Sequence, residues 1–253
     1  MKFAFKRKSK QAQAGFSLIE LLIAVAILLT VTAIVVSSVS QLQRRSTNEN
    51  AKLDSTQETR EFIDQVSRDI HQIGYPNTRM NIPFPVGTPA AQAVNVAVPG
   101  VTGTPAASTT PNLIQFEGDL DGSGTIQEVF LQFVQGPGGS CPCTLQRGTE
   151  SKAVWVATGA LPPFFTQLNN VINSGNQFAI AGNDSKGNNY DALFVSYKAA
   201  PVFQLLDNLG NPVAGGTTVK TITVTVNVLS PNTDKETGEP SVVTMSTTSR
   251  MNN

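Results

Sequence analysis

The sequence predicts an α+β protein, in which one long amino-terminal α-helix packs its carboxyl half on an antiparallel β-sheet. Two observations carry this prediction. After a short basic leader the chain reads as helix without a proline until Gly74-Tyr75-Pro76, apolar at first and amphipathic later. From residue 113 onward, short β-branched and aromatic runs alternate with Gly, Asn and Asp clusters. Composition agrees: 40% hydrophobic and only 14% charged residues, with 20 Gly and 15 Pro, suit a loop-rich β domain outside the cytosol better than a helical enzyme. The 253 residues suffice for an anchor with one medium domain, or for two small domains.

The leader holds Lys2, Lys6, Arg7, Lys8 and Lys10 and no acid, whereas the whole chain has zero net charge. The remainder of the chain is therefore mildly acidic, which disfavours a broad phosphate-binding face and with it direct nucleic-acid binding. From Leu21 to Gln43 no residue is charged, and Leu21–Val39 is almost wholly apolar. At about 1.5 Å per residue this run crosses the ~30 Å hydrocarbon core, so residues of about 16–40 predict one membrane span. The basic leader outweighs Arg44, Arg45 and Lys52, placing Met1 in the cytoplasm and the bulk of the chain outside it. An ordinary secretory signal is the alternative. Its cleavage site should follow the apolar core, yet Ala12-Gln13-Ala14 precedes it and Val35–Ser40 offers only weak candidates. Glu20 stands inside this span, where a carboxylate costs about 2.5–3.5 kcal/mol at mid-helix.

Gly15-Phe16-Ser17-Leu18-Ile19-Glu20, with a basic leader before it and about twenty apolar residues after it, resembles the class III signal of type IV pilins and type II secretion pseudopilins. Ser17 stands where Thr is more frequent in that family. The resemblance implies that a prepilin peptidase removes residues 1–15 by cutting between Gly15 and Phe16, then methylates the new amine of Phe16. Glu20 lies four residues later, one helical turn along. It would pair with the α-ammonium of Phe16 on a neighbouring subunit, offsetting two desolvation costs and rewarding one axial register.

Beyond the span, Leu42, Leu53, Phe62, Ile63, Val66, Ile70 and Ile73 recur at spacings compatible with one helical face, separated by charges of both signs. The helix is expected within residues 16–75, roughly 85 Å long from Phe16 to Ile73 at the standard rise. Residues 76–112 contain seven prolines and one charge, Arg79, and read as an extended loop with one short strand at Ala93–Val98. A passive linker is favoured there over a subunit-contact loop. Residues 113–253 form the β-rich domain. Its expected strands are Leu113–Glu117, Thr125–Val134, Ala153–Ala157, Phe178–Ala181, Ala192–Tyr197, Val202–Leu206, Val219–Leu229 and Val242–Thr248. This is the pilin fold that the resemblance implies. The stretches SRDIHQIGYP, DLDGSGTIQEVFLQF, LQRGTE, YDALFVSYK and TSRMNN are further similar to the minor-subunit group of PilW and the J-type pseudopilins, although His71 stands where that group more often has arginine.

Other chemistry finds little footing. Cys141-Pro142-Cys143 suits neither a disulfide scaffold nor a zinc site; free thiols in a loop are favoured over a bridge, which would close a tight ring. Asp119, Asp121 and Ser123, followed by Gly124, match the first half of a calcium loop, but its twelfth position is Phe130 and Glu128 comes too early. A hairpin turn is the favoured reading of those letters. His71 is the single histidine, a packing or solvent-side residue sooner than a general base. No nucleophile elbow, Walker loop or zincin motif occurs. Trp155, Phe164, Phe165 and Tyr190 read as core rather than as a carbohydrate platform.

The resulting expectation is a non-enzymatic minor pilin without a cofactor, anchored in the bacterial inner membrane and then part of a type IV pilus. Its implied partners are other pilins, the prepilin peptidase, a platform membrane protein and an assembly ATPase. A minor pseudopilin of type II secretion is the first alternative. A solitary anchored extracytoplasmic binding domain is the second.

Overall fold

The computed structural model describes residues 17–73, 95–97, 112–213, 219–233 and 238–250. The leader, Gly15, Phe16 and most of the proline-rich stretch 76–112 lie outside these residues, as do the last three of the chain. Helix α1 runs from Leu18 to His71 as 54 continuous residues. The chain divides into two compact units, Met1–Thr47 and Asn48–Asn253, whose boundary falls within this helix.

In the first unit the side chains from Leu18 to Val39 are exposed. In the second, α1 buries Ser55, Thr59, Phe62, Ile63, Val66, Asp69 and Ile70, a stripe at three- and four-residue spacings. Ser55 and Thr59 can be buried because their hydroxyls donate to the carbonyls of Ala51 at 2.9 Å and Ser55 at 2.6 Å. Leu42 and Leu53 do not belong to this stripe and are exposed. Leu53 precedes Phe62 by nine residues, which at ~100° per residue places it about half a turn away.

The sheet has eight strands in the order β1-β2-β3-β4-β5-β7-β6, with β8 also on β7, and the named strand pairs are antiparallel. The strands are β1 (Asn95–Ala97), β2 (Leu113–Gly118), β3 (Gln127–Val134), β4 (Cys143–Ser151), β5 (Phe165–Val171), β6 (Phe203–Leu206), β7 (Thr221–Thr233) and β8 (Pro240–Arg250). Alternation decides the faces. Ile114 and Phe116 of β2, Val129, Leu131 and Phe133 of β3, and Cys143 and Leu145 of β4 join Phe62, Val66 and Ile70 in one core. On the other face Phe130 meets the edges of Trp155 and Phe164, with ring centroids 5.0 and 6.4 Å away. Ile73 pairs with Gly118 just past the end of α1, tying helix to sheet.

Three of the expected strands are something else. Ala153–Ala157 lies in helix α2 (Lys152–Thr158), because Ser151 caps its amino end and Gly159, at φ 62°, closes its carboxyl end. Ala192–Tyr197 falls on two single turns, α3 (Tyr190–Leu193) and α4 (Val195–Lys198), opened by the Asn189 cap. Phe178–Ala181 is a loop with one bridge, Cys141 to Ile180. Conversely β4 and β5, CTLQRGTES and FTQLNNV, are strands too polar to announce themselves. Local caps override strand propensity in the helices, and pairing with neighbours overrides it in β4 and β5.

Candidate assembly segment

The first turn of α1 is built by its own sequence. Ser17-Leu18-Ile19-Glu20 has the spacing of a capping box, and the Ser17 N–H donates to Glu20 Oε2 at 3.1 Å. The Leu21 N–H donates to the Ser17 carbonyl at 3.2 Å, starting the helical ladder. Glu20 thus has a local partner that spacing to Phe16 alone did not suggest, although the S-x-x-E letters signal it. Further along, Thr30, Thr32 and Ser38 donate their hydroxyls to the carbonyls of Ile27, Leu28 and Ile34 at 2.7–3.0 Å. Each thereby satisfies its polar group within the helix, as lipid or a dry bundle requires.

α1 is long and apolar enough to cross a membrane, and none of that apolar window is buried inside the protein. Leu18, Leu22, Leu29 and Ile34 are among the large side chains left uncovered. A helix apolar all round needs surroundings that its own chain does not provide.

The remaining expected site residues separate. His71 is exposed in the last turn of α1. Cys141 and Cys143 are joined in a disulfide rather than left as free thiols, and both are fully buried in the core beside β4. Trp155 and Phe164 cover Phe130, but Phe165, opposite Arg147 at the first position of β5, is 66% exposed, contrary to its reading as core. Asp119, Asp121 and Ser123 stand together in the β2–β3 loop. Among the described residues, no three His, Cys, Asp or Glu side chains gather to hold a metal ion.

One cluster was not visible in the sequence. Glu117, Glu128 and Glu150 lie in one row across β2, β3 and β4, and Lys152 Nζ pairs with Glu117 Oε2 at 2.6 Å. Glu128 is buried. Desolvation first, then its hydrogen bond with Glu117 and that residue's charge, push its carboxyl up to about 8, while the Gln115 amide and Lys152 pull less strongly the other way. Only the strand register brings these three carboxylates together.

An antiparallel sheet domain carried on one long, uncovered apolar helix defines the class: the layout of a membrane-anchored, single-pass protein of pilin-like α+β architecture. Residues 10–36 match the prokaryotic N-terminal methylation motif, so the chain carries the signal of type IV pilins and pseudopilins. Proteins with this signal are in general structural, and the signal implies handling by the prepilin peptidase system and assembly with other pilins. Comparison with curated proteins and with solved structures finds no match.

Proposed function

We propose that this chain is a minor pilin, a non-enzymatic structural subunit of a type IV pilus. The observation that carries the reading is the apolar helix from Leu18 to Val39, uncovered within its own chain and holding one carboxylate, Glu20, inside the matched methylation motif. The precursor sits in the inner membrane with Met1 in the cytoplasm. Prepilin peptidase cuts between Gly15 and Phe16 and methylates Phe16, leaving the anchor attached. The helix then exchanges lipid for the helices of other pilins, and the sheet domain forms part of the filament surface. Glu20 meets the α-ammonium of a neighbouring Phe16, which offsets the desolvation of both charges and selects one axial register. A platform membrane protein and an assembly ATPase supply the machinery and the energy. The downstream similarity to the PilW and J-type group supports the minor-subunit branch.

The test is to shear and purify surface filaments and to identify this chain in them by mass spectrometry. The expected product begins at N-methylated Phe16 and is scarce relative to the main subunit. Gly15→Asp should leave the full-length precursor, absent from filaments. Recovery of an amino terminus at Phe16 in that variant would refute the processing assignment. Recovery of wild-type chain only with a secretion pseudopilus would move it to that system, and a processed chain in no filament would make it a solitary anchored domain.

A further inference from the structure

The chain runs through eight residues between the paired Gly118 and Gln127, far more than a two-residue hairpin turn needs. It uses them to wrap around its own side chains. Asp119 Oδ2 accepts from the Gly124 N–H at 2.9 Å, Asp121 Oδ1 from the Ser123 N–H at 3.0 Å, and Ser123 Oγ from the Thr125 N–H at 3.2 Å. Gln127 Nε2 donates to Asp121 Oδ2 at 3.2 Å.

Asp119 is only 4% exposed, yet its Oδ1 meets no donor among the described residues. Oδ2 of the same carboxyl is held by the loop's own Gly124 N–H, which keeps this carboxyl within the loop. A buried carboxylate oxygen without a donor is unfavourable, and a cation that takes its lone pairs removes that cost.

We propose that the β2–β3 loop binds a hard divalent cation of calcium's size, held by Asp119 Oδ1, the Asp121 carboxylate and the Ser123 hydroxyl. The three stand at positions one, three and five of an oxygen-donor loop, and Gly124 stands at six with φ +80°, the sharp turn such a loop needs there. Backbone carbonyls and water complete the shell. Phe130 occupies position twelve, buried against Trp155, so the bidentate glutamate of a tight site is missing. Two carboxylates and no such glutamate put the affinity in the range of extracellular modules, about 10⁻⁴–10⁻³ M. An irregular shell of loop oxygens favours calcium over magnesium, which demands stricter octahedral geometry. Only residues of the sheet domain take part, so cation binding can be measured on the unassembled chain.

The experiment is equilibrium dialysis of the full-length chain in detergent micelles against CaCl2, with thermal unfolding followed in CaCl2 and in MgCl2. The expected result is about one calcium per chain with half-saturation near 10⁻⁴–10⁻³ M. The unfolding temperature should rise in CaCl2, rise less in MgCl2, and return on adding EGTA. Asp121 is exposed, so Asp121→Asn should fold normally and lower calcium affinity at least about tenfold, as loss of one of two ligand charges implies. No calcium retained at about 10 mM by the wild-type chain, well above the range for extracellular modules, would overturn the proposal. Equal binding by wild type and Asp121→Asn would overturn it as well.

Discussion

Single carboxylates do different work in this molecule according to what surrounds them. Glu128 is buried in a row with Glu117 and Glu150, accepts from Gln115 Nε2 at 3.0 Å, and has Lys152 nearby on Glu117. Its carboxyl is raised from an ordinary 4.5 to about 8, so across that window the native state keeps a proton that the unfolded chain has shed. The unfolded state binds fewer protons there, and stability must fall as pH rises, by up to about 1.4 kcal/mol per pH unit. Glu128→Gln should flatten this slope and unfold at a higher temperature than wild type above pH 8. Parallel pH profiles for the two proteins would exclude the assignment. Asp69 behaves otherwise: its Oδ2 takes Arg147 Nε at 2.8 Å and its Oδ1 takes Gln65 Nε2 at 2.7 Å, linking α1 to β4. Asp69→Ala leaves the Arg147 guanidinium, 20% exposed, without its carboxylate, and should cost about 3 kcal/mol in urea unfolding.

At the scale of elements, end signals and close approaches outweigh composition. The residues Ala153–Ala157 have strand-like letters, yet Ser151 and Gly159 bracket them at helical spacing and the helix wins. Those caps were legible in the sequence; the weight to give them was not. Gly118 illustrates a constraint that only packing imposes. A Cβ there would lie 2.5 Å from the Gln72 carbonyl oxygen, where the chain leaving α1 pairs with β2. Backbone cannot yield as a side-chain tip can, so Gly118→Ala should destabilise the domain by about 1–3 kcal/mol, measurable as a lower unfolding temperature. Of the strands that the letters did reveal, β2, β3, β6 and β7 are rich in Val, Ile, Leu and Phe, and β8 in Val and Thr. The polar β4 and β5 acquire their strand character from neighbours on both sides.

The whole molecule joins a domain that satisfies itself to a helix that does not. The sheet covers the stripe from Phe62 to Ile70, whereas Leu18–Val39 waits for lipid or for other helices. Glu20→Leu removes the one carboxylate of the apolar segment and a cap on the Ser17 N–H. It should insert into membranes as well as wild type, since the change favours lipid. Its incorporation into filaments should nevertheless fall severalfold, as scored by immunoblotting of sheared filaments against the membrane fraction. Normal incorporation would dismiss an assembly role for Glu20.

The signal from Gly15 to Glu20 was recognised by its resemblance to that of type IV pilins and pseudopilins, and residues 10–36 match the methylation motif. Local order along the chain was sufficient to read the apolar anchor, the long helix and the β-rich character of the domain beyond it. These are properties of neighbouring residues, and hydrophobic period and spacing report them directly. Tertiary structure alone decided that Cys141 and Cys143 are buried in the core and that three glutamates share one row. It also left Asp119 Oδ1 buried without a donor. Each depends on strand register or on which face meets the core, and those are settled between residues far apart in sequence, where burial and pairing compete.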